Sequence, residues 1–445
     1  MKSKFIFFTL LLESLLFIRY DLPSYCFIAY ILTIIEAMFF LWNNRYMAVA
    51  NWWLYIYMVC TFVVIPVFKF TPSHFTLSCS VINDGSFLHL AMISPIVMCL
   101  YFFALLLFCE KGKKTELPTQ FTIYAPNFNL KIIFILAFTA TILSYIVGIG
   151  KMGVVNTRLP FHLSGVIQFF RTTMIPIFAL FIYVHNKNND RNNKVLIGLL
   201  FVWSLAEVYV RMSKSAMIMI FLPLLIYELM YYGKNFKGVI VKFLPILAVV
   251  LILYPIVETF RHSDSLRDAI SAADEEEIVG TYTNPSSKNY IVKPFNRRFL
   301  TGYLYLVDEN VCSNSFFDFS RAAAILAIKG SARYQTFVVD GYPIGVAHSS
   351  GTTPFIDGLL VGGYGLMYLA VFIMTYLARV IDKKFRKKTN YLIVTMLLML
   401  YYYWFDGPLY TFFLNEMSIR TVIVYGALIF YIHFMWKKTK INILR

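Results

Sequence analysis

The sequence predicts an all-α polytopic membrane protein with about 12 transmembrane helices and a long outer loop between the ninth and tenth helices. Hydrophobic residues make up 59% of the chain and charged residues only 14%, which is far from the composition of soluble domains. The apolar residues form continuous runs of the length that crosses a hydrocarbon core of about 30 Å. The strongly basic loops between these runs all fall on one side of the membrane.

Twelve runs fit this reading in length and composition. The first follows Lys2 and Lys4, as the apolar part of a signal peptide does, but no small-residue cleavage site comes after it. We therefore interpret it as a retained first helix, although it is short and contains Glu13. The predicted spans are residues 5–18, 25–42, 48–68, 87–108, 130–149, 165–185, 195–210, 215–232, 238–257, 354–378, 391–405 and 412–436.

The distribution of Lys and Arg predicts that both termini are cytoplasmic. With the N-terminus inside, the basic loops "CEKGKK", "HNKNNDRNNK", "YYGKNFKG" and "RVIDKKFRKK" and the tail "KKTKINILR" all lie on the inner face. The net charge of +16 is then anchoring against anionic lipid, worth about 1 kcal/mol per basic residue near the surface. It does not call for a nucleic-acid partner.

The predicted organisation has three parts: residues 1–257 with helices 1 to 9, residues 258–353 as the outer loop, and residues 354–445 with helices 10 to 12 and a basic tail. A loop this long is expected to have a structure or a function of its own. Two helices are predicted in it, in "DSLRDAISAADEEEIV" and "FDFSRAAAILAIKG", the second apolar enough to lie at the membrane interface. The halves of the chain do not mirror each other, as those of inverted-repeat transporters do.

Six cysteines are scattered without C-x-x-C spacing or a Cys/His cluster, so the sequence predicts no metal site. In the predicted topology Cys79 and Cys312 are the cysteines of the outer loops, where an oxidising compartment permits a disulfide. The sequence leaves open whether the two are bridged or are unrelated thiols.

Charged residues gather at the outer ends of the predicted helices, where positive charge should be depleted. Each alone is explained by snorkelling to headgroups or by pairing with a carboxylate. Together they predict an anion-binding mouth, since guanidinium groups bind phosphate oxygens in bidentate fashion. The residues are Arg171, Glu207, Arg211, Lys214, Arg261, Arg267, Arg297, Arg298, Arg321, Arg333, Asp406, Glu416 and Arg420.

Two stretches resemble a known family. The turn "RMSKSAMIMIFLPLL" and the loop end "AHSSGTTPFIDGLLVGGYGL", together with a long outer loop late in the chain, resemble the Wzy-type O-antigen polymerases and the related O-antigen ligases. The family turn usually reads Ser-Arg-Gly/Ala, whereas Lys214 stands here at the basic position. Ser349 stands where Asn is frequent after the His. The resemblance covers the layout of the whole chain and about forty residues in detail.

The resemblance implies a metal-independent, inverting glycosyltransferase without a cofactor. The substrates would be oligosaccharide repeat units linked to undecaprenyl pyrophosphate, joined at the periplasmic face of a bacterial inner membrane into O-antigen or a related surface polysaccharide. A chain-length regulator would be a further partner. Because the pyrophosphate is already an activated leaving group, the protein mainly has to position two lipids and neutralise developing negative charge.

The residue roles follow the same resemblance. His348 is the candidate general base, because an unperturbed imidazole titrates nearest working pH, with His262 as a weaker rival and Asp340 or Asp357 as the group that orients it. Arg211 and Arg261 are the further catalytic candidates. The candidates for binding pyrophosphate or sugar are Lys214, Arg171, Arg297, Arg298, Arg333 and Tyr342, and Tyr303, Tyr305 and Tyr364 are aromatic candidates for stacking on sugars.

Two other classes stay open on sequence grounds. One is a different lipid-dependent glycosyltransferase, either an O-antigen ligase or an enzyme that uses a polyprenyl-phosphate sugar. The other is a flippase or transporter of a lipid-linked sugar, which would more often show two comparable halves and charges near mid-membrane.

Overall fold

A computed structural model gives the structure of part of the chain. It describes residues 2–43, 47, 49–69, 84–108, 125–149, 159–160, 163–211, 213, 215–231, 238–239, 241–246, 248–249, 252–253, 319–334, 353–386, 391–405, 407, 409–414 and 416–444. These residues are folded into helices joined by turns. The helices are α1 Lys2–Tyr20, α2 Ser24–Asn43, α3 Val49–Phe68, α4 Asp84–Leu107, α5 Leu130–Val147, α6 Leu163–Asn188, α7 Lys194–Arg211, α8 Ser215–Tyr231, α9 Phe319–Ala327, α10 Ser331–Tyr334, α11 Pro354–Arg386, α12 Tyr391–Phe405 and α13 Glu416–Leu444.

Within the described chain, seven helices are long and apolar enough to cross a membrane. They contain the spans Ser24–Asn43, Val49–Phe68, Phe87–Leu107, Leu130–Val147, Leu163–Asn188, Pro354–Lys384 and Ile419–Lys437, and two shorter apolar helices are Ala216–Met230 and Leu392–Phe405. The predicted fold class, an all-α membrane protein, is thus confirmed for the described residues. The number twelve stays a prediction, since eight of the twenty residues of the ninth predicted span and most of the outer loop lie outside the described residues.

The helices pack as two groups. In the first, α1 and α3 lie side by side and run in the same direction. Their C-terminal ends meet, since Arg19 Nη1 donates to the Val67 carbonyl at 2.5 Å and Tyr20 Oη donates to the Pro66 carbonyl at 2.8 Å. Helices α2, α4 and α11 complete this group, and α5 to α8 form the second. Helix α12 packs against both α8 and α11, so it joins the two groups.

Two helices contain a widened, π-helical turn just before a proline. In α3 this turn is Val59–Val64, before Pro66, and in α6 it is Phe170–Met174, before Pro176. A proline ring has no N–H and collides with the carbonyl four residues earlier, and an extra residue in the turn relieves that collision. In α6 the widened turn includes Arg171.

The tenth predicted span, 354–378, is a broken helix. Gly363 has φ 68° and ψ −161°, a conformation essentially restricted to glycine, so α11 divides into residues 354–361 and 364–386. The bend brings Gly358 against the next segment, where an added Cβ would lie 2.7 Å from the Leu366 carbonyl oxygen. Apolar composition alone did not reveal the break.

The start of the last predicted span also differs. Residues 412–414 form a short 3-10 turn, and α13 begins at Glu416. Just before this turn, the backbone N–H groups of residues 409–411 donate to the Asp357 carboxylate, so a long-range contact fixes the chain at the entry to α13.

The second predicted helix of the outer loop is confirmed as α9. It ends at Ala327, and the chain leaves it through Lys329 and Gly330, both with positive φ. The Gly330 N–H returns to the Ile325 carbonyl at 3.0 Å, which is a glycine-type helix stop. Helix α9 packs on α11. The other predicted loop helix, in "DSLRDAISAADEEEIV", lies outside the described residues.

We expect Gly358→Ala to destabilise the protein because its new methyl group would overlap backbone atoms of α11, a cost of about 1–3 kcal/mol. Gly198→Ala on α7 is the matched control, since a Cβ there meets nothing within 4 Å. Thermal unfolding of the purified proteins in detergent should give a lower midpoint for Gly358→Ala and an unchanged or higher one for Gly198→Ala. Equal midpoints would contradict the broken helix.

Candidate functional site

An ion pair between Arg171 on α6 and Glu207 on α7 is the most deeply buried charged contact near the predicted outer helix ends. Arg171 Nε donates to Glu207 Oε1 at 2.8 Å and Nη2 donates to Oε2 at 2.9 Å. Both side chains are about 1–2% exposed. This two-point contact fixes the plane of the carboxylate as well as its distance.

Further hydrogen bonds hold the pair in place. Thr141 on α5 donates to Glu207 Oε1 at 2.6 Å, and the buried indole of Trp203 donates to the Thr141 hydroxyl at 3.0 Å. Arg171 Nη1 reaches the Ile149 carbonyl at 3.4 Å, just beyond the end of α5. Three helices therefore meet at one carboxylate, and the widened turn before Pro176 brings Arg171 to it.

Arg211 lies one turn beyond Glu207, at the last residue of α7. The charges of Glu207 and Arg171 both act on its guanidinium. Its Nε is buried and has no hydrogen-bond partner among the described residues. Since the pair next to it is neutral as a whole, this arginine cluster of Arg171, Glu207 and Arg211 has a net charge of +1. Such a site favours an anion, because an uncompensated charge in low dielectric is costly.

The turn after α7 is short and closed on itself. The Ser213 N–H donates to the Val208 carbonyl at 3.3 Å, and the Ala216 N–H donates to the Ser213 carbonyl at 3.1 Å. This turn places the start of α8 beside the end of α7. Lys214, in the middle of the turn, lies outside the described residues.

A second arginine reaches the same end of α6 from the last helix. A Cβ added to Gly165 on α6 would lie 3.3 Å from Arg420 Nη1, so the Arg420 guanidinium lies directly against this helix. The small residue at 165 makes the approach possible. The sequence placed Arg420 at an outer turn, but it gave no sign that it would lie beside α6.

Arg333, Tyr364 and Asp357 are the other predicted site residues within the described chain. Arg333 is exposed on α10. The Tyr364 hydroxyl lies 2.8 Å from His89 Nε2, and the two rings stack with centroids 6.0 Å apart. The predicted roles of Arg333 in anion binding and of Tyr364 in sugar stacking stay predictions.

Asp357 has a structural environment that accounts for its burial. It accepts from the N–H groups of Leu409, Tyr410 and Thr411 and from the Thr411 hydroxyl, which lies 2.8 Å away. Burial raises the pKa of Tyr410 above its usual value, and the neighbouring carboxylate raises that pKa further, so its phenol stays neutral. With four donors, Asp357 is better placed to fix the turn before α13 than to orient a histidine.

The remaining predicted site residues lie outside the described residues, so their positions stay untested. They are the catalytic candidates His348 and Arg261, the binding candidates Lys214, Arg297, Arg298 and Tyr342, the rival His262, and Asp340, Tyr303 and Tyr305; Cys79 and Cys312 lie there too.

A charged cluster at the opposite helix ends provides a comparison. Glu228 on α8 accepts from Lys187 at 2.7 Å, from Tyr183 at 2.8 Å and from Lys242 at 3.2 Å. Its carboxylate is thus surrounded by donors from α6 and from the segment after α8. This cluster is satisfied internally, whereas in the arginine cluster the buried Arg211 Nε has no partner within the part of the chain that the structure describes.

Sequence reasoning placed Arg171, Glu207 and Arg211 in one outer region but did not pair the first two. It also missed Thr141 and Trp203. One signal was present, since Pro176 follows Arg171 closely and a proline inside a span predicts a distorted turn. The contact with Thr141 depends on how α5 packs against α7, which no local pattern reveals.

We expect Arg171→Met and Glu207→Leu each to lower the thermal midpoint strongly, because each leaves a buried charge without its partner, a cost of about 3–5 kcal/mol. The double variant Arg171→Met/Glu207→Leu should recover most of the loss, since an apolar pair replaces a buried ion pair at little cost. Unfolding in detergent measures all three. A double variant no more stable than the single variants would contradict direct pairing.

Comparisons with known proteins add no relative. No family model, no curated protein and no solved structure matches the chain.

Proposed function

We propose that the chain is a polymerase of lipid-linked oligosaccharide repeat units, acting at the periplasmic face of a bacterial inner membrane to make O-antigen or a related surface polysaccharide. The observation that carries the proposal is the buried Arg211 Nε without a partner among the described residues, beside a neutral and rigid Arg171–Glu207 pair. The resemblance of the turn after Arg211 to that of the polymerases supplies the substrate class.

In this proposal Arg211 binds a pyrophosphate oxygen of the undecaprenyl-linked glycan. Its guanidinium is held by the field of Glu207 and by the end of α7, so little reorganisation is needed when the phosphate arrives. Arg171 has two of its donors engaged by Glu207. The proposal therefore gives Arg171 the task of positioning Glu207, and it gives the anion contact to Arg211.

The reaction requires one bond to form and one to break. The non-reducing-end hydroxyl of a new lipid-linked repeat unit attacks the anomeric carbon of the growing glycan, the bond from that carbon to the pyrophosphate oxygen breaks, and the configuration inverts. His348 is the proposed base that takes the hydroxyl proton, and undecaprenyl pyrophosphate leaves. Arg261, Lys214, Arg297 and Arg298 are the proposed further contacts to the leaving phosphates.

The experiment that tests the proposal is a surface-glycan ladder on a gel, from a strain deleted for this gene. Complementation with the wild-type gene should restore the ladder, whereas Arg211→Ala should leave core bearing one repeat unit. His348→Ala should do the same. Arg191→Ala is the matched control, because Arg191 is exposed in the turn between α6 and α7, at the other end of both helices.

Each outcome of this experiment decides between functions, provided that membrane levels of the variants match. Loss of even the single repeat unit would indicate a ligase or an earlier step, since ligases use the same lipid pyrophosphate. An unchanged ladder in the deletion strain would overturn the polymer assignment and favour a flippase or transporter. A full ladder with Arg211→Ala would show that Arg211 is not part of the site, whereas the polymerase assignment itself would stand.

A further inference from the structure

Glu13 is a buried carboxyl in the middle of a helix. It is 0% exposed, and neither carboxyl oxygen has a hydrogen-bond partner among the described residues. At 1.5 Å per residue it lies roughly 16 Å from Lys2 and roughly 10 Å from Tyr20, so neither end of α1 brings it to water. Nothing in the proposed glycosyl transfer uses it.

The titratable groups on which a charge at Glu13 would act carry no positive charge. A charge on Glu13 would act on Tyr30 of α2, on Tyr55 of α3 and on Cys99 of α4. Cys99 in turn interacts with the half-buried Glu36 of α2. Helix α1 packs against α2, α3 and α4, and none of the groups just named supplies a positive charge to Glu13. No cation therefore compensates an ionised Glu13 within the described residues.

An isolated carboxylate in such a place takes up a proton, because the ionised form has lost its water and gained no partner. A metal cation is a poorer fit, since hard cations require several ligands around one point, and the described residues contain no group of three or more His, Cys, Asp or Glu side chains that could hold a metal ion. A proton needs no further ligand.

A row of buried polar groups leads from this region toward the start of α3. The Thr9 hydroxyl lies 2.5 Å from the Tyr55 hydroxyl, and the rings of Tyr55 and Tyr101 have centroids 6.3 Å apart. Tyr101 donates to the Asn51 carbonyl at 3.5 Å. The amide of Asn51 donates to the Asp382 carboxylate of α11, beside Arg379. All of these side chains are buried.

The row leads from the region of Glu13 to one end of the helices. Asn51 is the third residue of α3 and Asp382 is near the end of α11, so the row ends where the positive-inside pattern places the cytoplasm. Toward the outer side, α1 and α3 are closed by Arg19 and Tyr20 donating to carbonyls of α3. The row of hydroxyls just described therefore leads from this region to the inner side.

We propose that Glu13 is a proton-binding site inside the membrane, reached from the inner face, where Asn51 meets Asp382, past the hydroxyls of Tyr101, Tyr55 and Thr9. The carboxylate oxygen accepts the proton and becomes a neutral acid, and the same proton leaves by the same row. Where two neighbouring hydroxyls of the row are not hydrogen-bonded to each other, a side chain has to rotate before the proton can pass between them. This site is separate from the arginine cluster and does not depend on the proposed glycosyl transfer.

Infrared difference spectroscopy of the purified protein in lipid nanodiscs tests the site directly. A protonated carboxyl has a C=O stretch distinct from that of a carboxylate. The wild type should show this acid band at neutral pH, and Glu13→Gln, which keeps the shape without the acid, should lack the Glu13 part of it. Glu36→Gln should retain the Glu13 contribution to this band, so the two variants together assign the band to Glu13 and not to Glu36.

Exchange into heavy water tests the row. The acid band shifts when deuterium replaces the proton, and we expect Tyr55→Phe to slow this shift several-fold because it removes one hydroxyl from the row. Tyr30→Phe is the matched control, since the Tyr30 hydroxyl donates to the Leu10 carbonyl and lies off the row. Absence of a Glu13 acid band at neutral pH would overturn the proton site. A Tyr55→Phe rate equal to that of Tyr30→Phe would overturn the route.

Discussion

The bidentate contact between Arg171 and Glu207 is the interaction on which the candidate site depends. It joins α6 to α7, and Thr141 adds α5 to the same carboxylate. The pair is buried in an apolar environment. If one partner is removed, the other charge stays buried with neither a counter-charge nor water to stabilise it. The consequence for function is that the neutral pair leaves the positive charge of Arg211, one turn along α7, unbalanced.

Buried charged groups of the described chain lie at three levels. The arginine cluster and the Asp357 turn lie at the predicted outer helix ends, the Glu228 cluster and Asp382 lie at the predicted inner ends, and Glu13 lies between them. The end clusters join helices that are distant in sequence, as Asn51 and Asp382 do. Glu13 has no hydrogen-bond partner among the described residues, and a buried ionisable group without a structural task is where a function is expected.

The sequence predicted the helical class and most helix positions well. A segment that spans lipid must satisfy its own backbone hydrogen bonds, so it is a helix, and its side chains form a long apolar run that is visible in the sequence. The run 391–405 coincides with α12, and "FDFSRAAAILAIKG" contains α9. The break at Gly363 was missed because hydropathy does not respond to one residue's backbone conformation. The contact of Asp357 with residues 409–411, just before α13, was not predicted because the two segments are more than fifty residues apart in the chain.

The candidate site was predicted only in outline for a related reason. Excess charge at outer helix ends is visible in the sequence, but pairing is not, so Arg171 was assigned to the substrate although Glu207 engages two of its donors. The most direct test of the central claim is a reaction of the purified protein with lipid-linked repeat units, with glycan length followed by mass spectrometry. The proposal predicts lengthened lipid-linked glycans together with free undecaprenyl pyrophosphate for the wild type, and neither for Arg211→Ala. Repeat units that stay unjoined with folded wild-type protein would contradict it.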